Sequence, residues 1–217
     1  ANLTIAAVTD TKTYDGTTTS TATPTVTGLQ TGDSVSGLKE AFANKNAGTN
    51  KTLSVTGYTV NDGNSGGNYN ISTVDNATGI INKAALTLTA VAATKTYDGT
   101  TTSAATPTIT GLQTGDTITN LTESYTNRNA GTNKTLTIGS YTVNDGNSGN
   151  NYAVTTVDNA AGIINKADLT ITASANTKTY DGTATALAPT VVGIQTGDTV
   201  TNLSAAYDDK HAGSNKT

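Results

Sequence analysis

The chain has 217 residues, a formal net charge of −4, and no Cys, Met or Trp. The missing Cys excludes disulfide frameworks, thiolate metal sites and thiol catalysis together. Bases and acids number 5 to 6, 4 to 5 and 3 to 5 over residues 1–83, 84–166 and 167–217, so no stretch offers the basic face that a nucleic-acid partner needs.

Those three segments are copies of one unit. Tyr14-Asp15-Gly16 returns as Tyr97-Asp98-Gly99 and Tyr180-Asp181-Gly182, and residues 1–83 and 84–166 are identical at 58 of 83 positions without gaps. A period of that length exceeds a solenoid turn and predicts a small domain with its own core. Thr supplies 50 residues, and its β-branched side chain favours strands. Apolar residues recur at fixed places in each unit, which disordered low-complexity sequence would not do.

In chain order, the strand-like runs of the first unit are Leu3-Thr4-Ile5, Pro24 to Leu29, Leu53-Ser54-Val55, Tyr58-Thr59-Val60, Tyr69-Asn70-Ile71 and Gly79-Ile80-Ile81. Turn signals separate them at Asp15-Gly16, Thr31-Gly32-Asp33, Ala47 to Asn50 and Asn61 to Asn64. No long helix is expected; the one helix-compatible stretch, Leu38 to Asn44, has an equivalent at 121–126 that reads as strand. The expectation is an all-β tandem array of small, immunoglobulin-like β-sandwich domains of about 83 residues, forming an elongated rod. Small β-grasp-like domains are the alternative. The domains are 1–83, 84–166 and a truncated 167–217 that lacks the equivalents of 53–83.

All nine Tyr and the single Phe occupy four repeat positions: Tyr14/Tyr97/Tyr180, Phe42/Tyr125/Tyr207, Tyr58/Tyr141 and Tyr69/Tyr152. Rings at fixed sites read as core anchors, with sugar stacking as the competing role. At the junctions, Gly79 to Thr89 and Gly162 to Thr172 contain no Gly/Ser-rich or charged spacer, which limits swivelling between units.

The motifs Leu86-Thr87-Leu88-Thr89-Ala90, Thr94-Lys95-Thr96-Tyr97-Asp98-Gly99-Thr100, Gly111-Leu112-Gln113-Thr114-Gly115-Asp116, Asn129 to Thr135, Asn151-Tyr152 and Gly162 to Lys166 carry a family likeness. They resemble the YDG-type repeat of large bacterial surface proteins, including filamentous haemagglutinin-like and other biofilm adhesins. The resemblance implies an extracellular structural stalk or spacer between an anchor and a distal binding region. It assigns no catalytic residue.

Few groups suggest chemistry. Asp62 and Asn64, with Asp145 and Asn147, sit in Asn-Asp-Gly-Asn-Ser-Gly runs that faintly resemble calcium loops. One Asp among amides is a poor calcium set, and a Gly/Asn turn is the preferred reading. Asp15, Asp98 and Asp181, and equally Asp33, Asp116 and Asp198, read as Asx-type turn closers. His211 is the only His and replaces Asn46 and Asn129, so no Ser–His–Asp set recurs. Lys12, Lys95 and Lys178 could form isopeptide bonds with Asn, but exposed lysines blunting a strand edge are preferred. No catalytic, cofactor or metal residue is therefore assigned.

Two functions follow as expectations: a stalk of a bacterial surface adhesin, or a glycan- or matrix-binding module that uses the variable strip 34–45. Partners are neighbouring repeats, other copies by strand exchange, and an unspecified distal ligand, with no membrane span in this segment. Because the chain lacks an initiator Met and its third unit stops short, it is expected to be an excised piece. Either the parent chain continues it, which is the favoured case, or a neighbour completes it by strand addition.

Overall fold

The computed structural model describes all of residues 1–217, and every regular element in it is a strand. In repeat 1 these are β1 (Asn2–Ala6), β2 (Thr11–Thr13), β3 (Thr25–Thr27), β4 (Ser34–Phe42), β5 (Gly48–Asn61), β6 (Asn70–Val74) and β7 (Asn76–Asn82). Repeat 2 contains β8 (Ala84–Thr89), β9 (Thr94–Thr96), β10 (Thr108–Thr110), β11 (Thr117–Thr119), β12 (Glu123–Tyr125), β13 (Gly131–Ile138), β14 (Thr142–Asn144), β15 (Tyr152–Val157) and β16 (Asn159–Asn165). Repeat 3 forms β17 (Thr170–Thr172) and β18 (Thr190–Val192), paired antiparallel.

Repeat 1 builds two sheets, ordered β3-β1-β6 and β2-β7-β5-β4. Alternation decides which face each strand buries: on β1, Leu3 and Ile5 are fully covered while Asn2 is exposed. The pairing is mixed. Strand β1 runs parallel to β6, from Asn2↔Asn70 to Ala6↔Val74, and β2 runs parallel to β7; the other ladders are antiparallel. Repeat 2 repeats this with β8 parallel to β15 and β9 parallel to β16. The all-β architecture agrees with the sequence reading. Its immunoglobulin-like detail does not carry over, because an immunoglobulin sandwich is built from antiparallel sheets. Here the chain crosses over after β5, so β6 and β7 return beside β1 and β2 running the same way.

The compact units do not follow the sequence period. One comprises Ala1–Ala90, Thr106–Thr122 and Ile138–Val157; the other comprises Val91–Ala105, Glu123–Thr137 and Asp158–Thr217. The first therefore holds all of repeat 1 together with the three-stranded sheet β10-β8-β15 of repeat 2. Within it, one apolar cluster is internal to repeat 1: Leu3, Val60 and Tyr69, flanked by Val26, Leu29, Val35 and Ile71. A second joins Tyr14, Phe42, Leu53 and Ile81 of repeat 1 to Leu86, Leu88, Val143 and Tyr152 of repeat 2. The short junction after Asn82 is thus a shared core, and side chains of this size stabilise by about 1.5–3 kcal/mol each when buried.

One aromatic series departs from the core expectation at both of its copies, and Tyr180 of repeat 3 is 60% exposed as well. Tyr14, Phe42 and Tyr69 are buried, as are Tyr125 and Tyr152, but Tyr58 and Tyr141 are 39% and 38% exposed. Both lie where a ladder is interrupted. Tyr58 sits at the register shift between Ser36↔Thr59 and Lys39↔Gly57, and Tyr141 falls in the gap between β13 and β14. Repeat 3 exposes apolar residues: Leu169 and Ile171 are each 50% exposed, where Leu86 and Leu88 are fully buried. The counterparts of Val143 and Tyr152, which share the cluster with Leu86 and Leu88, are absent from residues 167–217.

Candidate functional site: the clasp between repeats

Each Tyr-Asp-Gly loop is built around a lysine one strand earlier. Lys12 Nζ, from β2, lies 2.7 Å from Asp15 Oδ1 and donates to the carbonyls of Thr17 (3.2 Å) and Thr19 (3.0 Å). It also sits 5.9 Å from the Phe42 ring centroid. Lys95 repeats the arrangement with Asp98, Thr100, Thr102 and the Tyr125 ring, and Lys178 with Asp181, Thr183, Thr185 and the Tyr207 ring. These lysines are therefore largely covered loop clips rather than exposed strand-edge charges, because their ammonium groups satisfy carbonyls that the tight loop turns inward. Their bonding partners are Thr carbonyls, a Thr hydroxyl and an Asp carboxylate, and none of the three bonds to an Asn side chain. Asp15 does close an Asx turn, accepting from the Thr17 amide at 2.9 Å.

The ion pair with Lys95, reinforced by the Thr100 amide and hydroxyl, holds the Asp98 carboxyl down at about 2. A lowered carboxylate contributes stability above its unfolded value of about 3.9 and loses it as pH falls through the folded value. Carboxyl NMR is expected to give Asp98 a midpoint near 2, moving toward 4 in Lys95→Ala. A midpoint near 4 in the unmutated chain contradicts the clip.

The loop's tyrosine faces outward from its own repeat. Tyr14 donates its hydroxyl to Asp116 Oδ2 of repeat 2 at 2.9 Å, and Tyr152 donates to the same oxygen at 2.6 Å. The two rings meet edge to face, with centroids 5.4 Å apart. Lys45 Nζ stands 3.5 Å from Asp116 Oδ1 and 5.7 Å from the Tyr14 ring centroid. The Asp116 side chain is only 2% exposed. Burial, together with the bond to Asp116, pushes the hydroxyl pKa of Tyr152 up, and burial does the same for Tyr14. A second contact crosses the same junction: the Ala47 amide donates to Asn151 Oδ1 at 2.8 Å.

The next junction reuses the chemistry. Tyr97 donates to Asp198 Oδ2 at 2.7 Å, Arg128 NH2 pairs with Asp198 Oδ1 at 2.9 Å, and Arg128 NH1 donates to the Gly99 carbonyl at 3.3 Å. The Asx-type closure read from sequence for Asp33, Asp116 and Asp198 does not form: no nearby backbone amide donates to their carboxylates, and the turns close through the aspartate amides donating to the carbonyls of Gln30, Gln113 and Gln195 at 3.2, 3.2 and 3.0 Å. Asp116 and Asp198 act across the junctions instead. Their carboxylates accept from the preceding repeat's tyrosine and pair with its cation, because the Gly-Asp turn presents them to that repeat. Asp33 of repeat 1 accepts only from Tyr69, at 2.5 Å.

The faint calcium loops have a different occupant. Asp62 Oδ1 accepts the amides of Asn64 (2.9 Å) and Gly66 (2.8 Å), and Oδ2 accepts that of Asn68 (3.1 Å). The Gly66 bond leads in holding its carboxyl below the usual range. For Asp145, burial works upward but is outweighed by the amides of Gly149, Asn147 and Asn151. Asn64 and Asn147 turn their side-chain amides to Asn68 and Asn151. The aspartate oxygens are thus spent on the loop's own backbone. His211 is exposed, and its amide donates to Asp209 Oδ1 at 2.7 Å.

Sequence reading passed over two buried acids. Glu40 accepts the Val8 amide at 2.8 Å and the Ser20 hydroxyl at 3.1 Å, and Glu123 accepts the Val91 amide and the Ser103 hydroxyl. Their recurrence at one position beside a buried ring was the available signal; repeat 3 has Ala205 there.

Searches of curated proteins and of solved structures returned no match. The YDG domain family matches residues 1–77, 82–160 and 165–217. Of each Tyr-Asp-Gly triplet, the aspartate pairs with its own loop's lysine and the tyrosine, in repeats 1 and 2, reaches the clasp; the chain belongs to the YDG domain family.

Proposed function

We propose that the chain is a load-bearing stalk segment of an extracellular bacterial surface adhesin or filament, supporting adhesion or biofilm formation, and that it is not an enzyme. The parallel pairing of early and late strands within a repeat carries this reading. Tension enters repeat 1 near β1 and β2 and leaves at the C-terminal end of β7. In a parallel pair those two ends lie at opposite ends of the ladder, so pulling slides the strands and loads their hydrogen bonds together. The β2–β7 ladder is extended by backbone bonds from Ile80 to the Asp10 carbonyl (3.0 Å) and from Tyr14 to the Asn82 carbonyl (2.8 Å). The clasp then passes load to repeat 2 through Asp116. The buried polar groups support the same view, since they hold loops and junctions.

Single-molecule pulling between Ala1 and Thr217 tests it. Repeat 1 should yield in one abrupt event that lengthens the chain by about 280 Å for its 83 residues. Gradual, peak-free extension contradicts a load-bearing role.

A second reading, glycan or matrix binding, is favoured by the exposed rings of Tyr58 and Tyr141, which stand free at one repeat position. Tyr58 lies opposite the variable strip on β4. On that reading a glycan array gives hits that disappear in Tyr58→Ala/Tyr141→Ala while stability moves by less than about 0.5 kcal/mol. A blank array removes it.

A further inference from the structure

Repeat 2 carries an open groove of about 800 Å³ beside Tyr141, lined also by Thr142, Asn144, Ser148 and Val154. Asn144 Nδ2 donates to the hydroxyls of Thr117 (3.4 Å) and Thr119 (3.2 Å), which leaves its Oδ1 to accept from a ligand. Thr142 Oγ1 accepts from Asn120 at 3.4 Å and keeps its own proton to donate. Ser148 is exposed and holds left-handed backbone at φ 55°. Glycine adopts that conformation at no steric cost, so a serine there places a hydroxyl at the groove where glycine would serve the turn better. Asp145 is the only charged residue in the lining, and its buried carboxylate is spent on the amides of Asn147, Gly149 and Asn151.

Repeat 1 has the same arrangement. Tyr58 is as exposed as Tyr141, Asn61 Nδ2 donates to the hydroxyls of Ser34 and Ser36, and Ser65 is left-handed at φ 52°. Tyr58 has a complete repeat after it and Tyr141 has one before it. Neither a preceding nor a following repeat therefore covers this ring.

We propose that the groove beside Tyr141, and the equivalent surface beside Tyr58, bind an uncharged polysaccharide. This inference rests on the glycan reading above and narrows it by charge. A single exposed ring amid hydroxyl and amide groups suits a sugar, whose C–H face packs on the electron-rich ring face. The sugar hydroxyls then exchange hydrogen bonds with Thr142, Asn144 and Ser148. An anionic glycan finds no Lys or Arg in the lining. A proline-rich peptide docks in grooves lined by aromatic rings, and here Tyr141 is the single ring.

The experiment is NMR of the full chain with isotope-labelled tyrosine rings, titrated with cellohexaose, mannohexaose, a heparin hexasaccharide and decaproline, with affinities from calorimetry. A neutral hexasaccharide should shift the ring signals of Tyr58 and Tyr141 and of no other tyrosine. Tyr58→Ala/Tyr141→Ala should weaken its binding by about tenfold or more, and Ser65→Ala/Ser148→Ala by about threefold with both ring signals retained. Unshifted signals from the other tyrosines establish that the variants fold. Tyr180→Ala, which removes an exposed ring outside the groove, should leave the affinity unchanged. Equal weakening by Tyr180→Ala overturns the proposal, because any exposed ring would then suffice. So does tighter binding of decaproline at the two rings. If the heparin hexasaccharide shifts them and the neutral sugars do not, the uncharged class falls and the glycan reading stands. Silence from neutral and anionic sugars alike removes both.

Discussion

Asp116→Ala is expected to destabilise the chain by about 3 kcal/mol in urea unfolding, and Asp33→Ala by less than half of that. Both aspartates occupy the same Thr-Gly-Asp turn, so any local contribution to the turn is common to them. The difference lies in what they accept. Removing Asp116 strands the hydroxyl donors of Tyr14 and Tyr152 in a buried site, and an unsatisfied buried polar group costs about 1–3 kcal/mol. Lys45 adds little, because its side chain is 36% exposed and keeps its water. Asp33 accepts from one tyrosine hydroxyl, that of Tyr69, where Asp116 accepts from two. Equal losses for the two variants would mean that the junction contributes nothing beyond the turn.

Gly111→Ala is expected to cost more than about 3 kcal/mol, and Gly115→Ala only about 1–2 kcal/mol. Both glycines hold left-handed backbone, at φ 93° and 92°, so the conformational penalty of a Cβ is shared. Their surroundings differ. A Cβ on Gly111 would lie 2.2 Å from the Ala85 carbonyl oxygen, while one on Gly115 meets nothing within 4 Å. The Ala85 oxygen belongs to β8, which pairs with β10, so relief requires the two strands to separate. Gly28 and Gly193 stand in the same position, against Asn2 and Asp168. Denaturant midpoints of the two variants check the contrast, and matching midpoints would refute the close approach.

The fold was legible where the signal is local. Leu3-Thr4-Ile5 alternates, and it forms β1 with the apolar pair inward. Tyr14, Phe42 and Tyr69 recur by repeat and are buried. Tyr58 has the same recurrence and is exposed, because burial there depends on a ladder irregularity that a repeat alignment cannot display. The runs at Leu53 and Tyr58 read as two strands and form a single one, β5. The parallel pairings join residues 68 or 69 apart, such as Asn2↔Asn70 and Thr11↔Ile80, and nothing in either strand alone fixes their direction.

The clasp was less legible. Tyr14 and Asp116 are 102 residues apart, so the contact crosses the repeat boundary and comparing copies within their own limits hides it. Asp33, Asp116 and Asp198 look identical in sequence yet differ in structure by what the preceding repeat brings to them. The one usable hint was charge: the position held by Lys45, Arg128 and Lys210 keeps a base although the residue itself changes.

A double-mutant cycle between Tyr14→Phe and Asp116→Asn tests the coupling of consecutive repeats most directly. Both substitutions preserve shape, and the two residues belong to different repeats, so an interaction energy between them can only report the junction. The account predicts that the double variant loses about 1–2 kcal/mol less than the sum of the single losses. Strictly additive losses, within about 0.3 kcal/mol, would contradict the clasp and leave the repeats as independent domains on one chain.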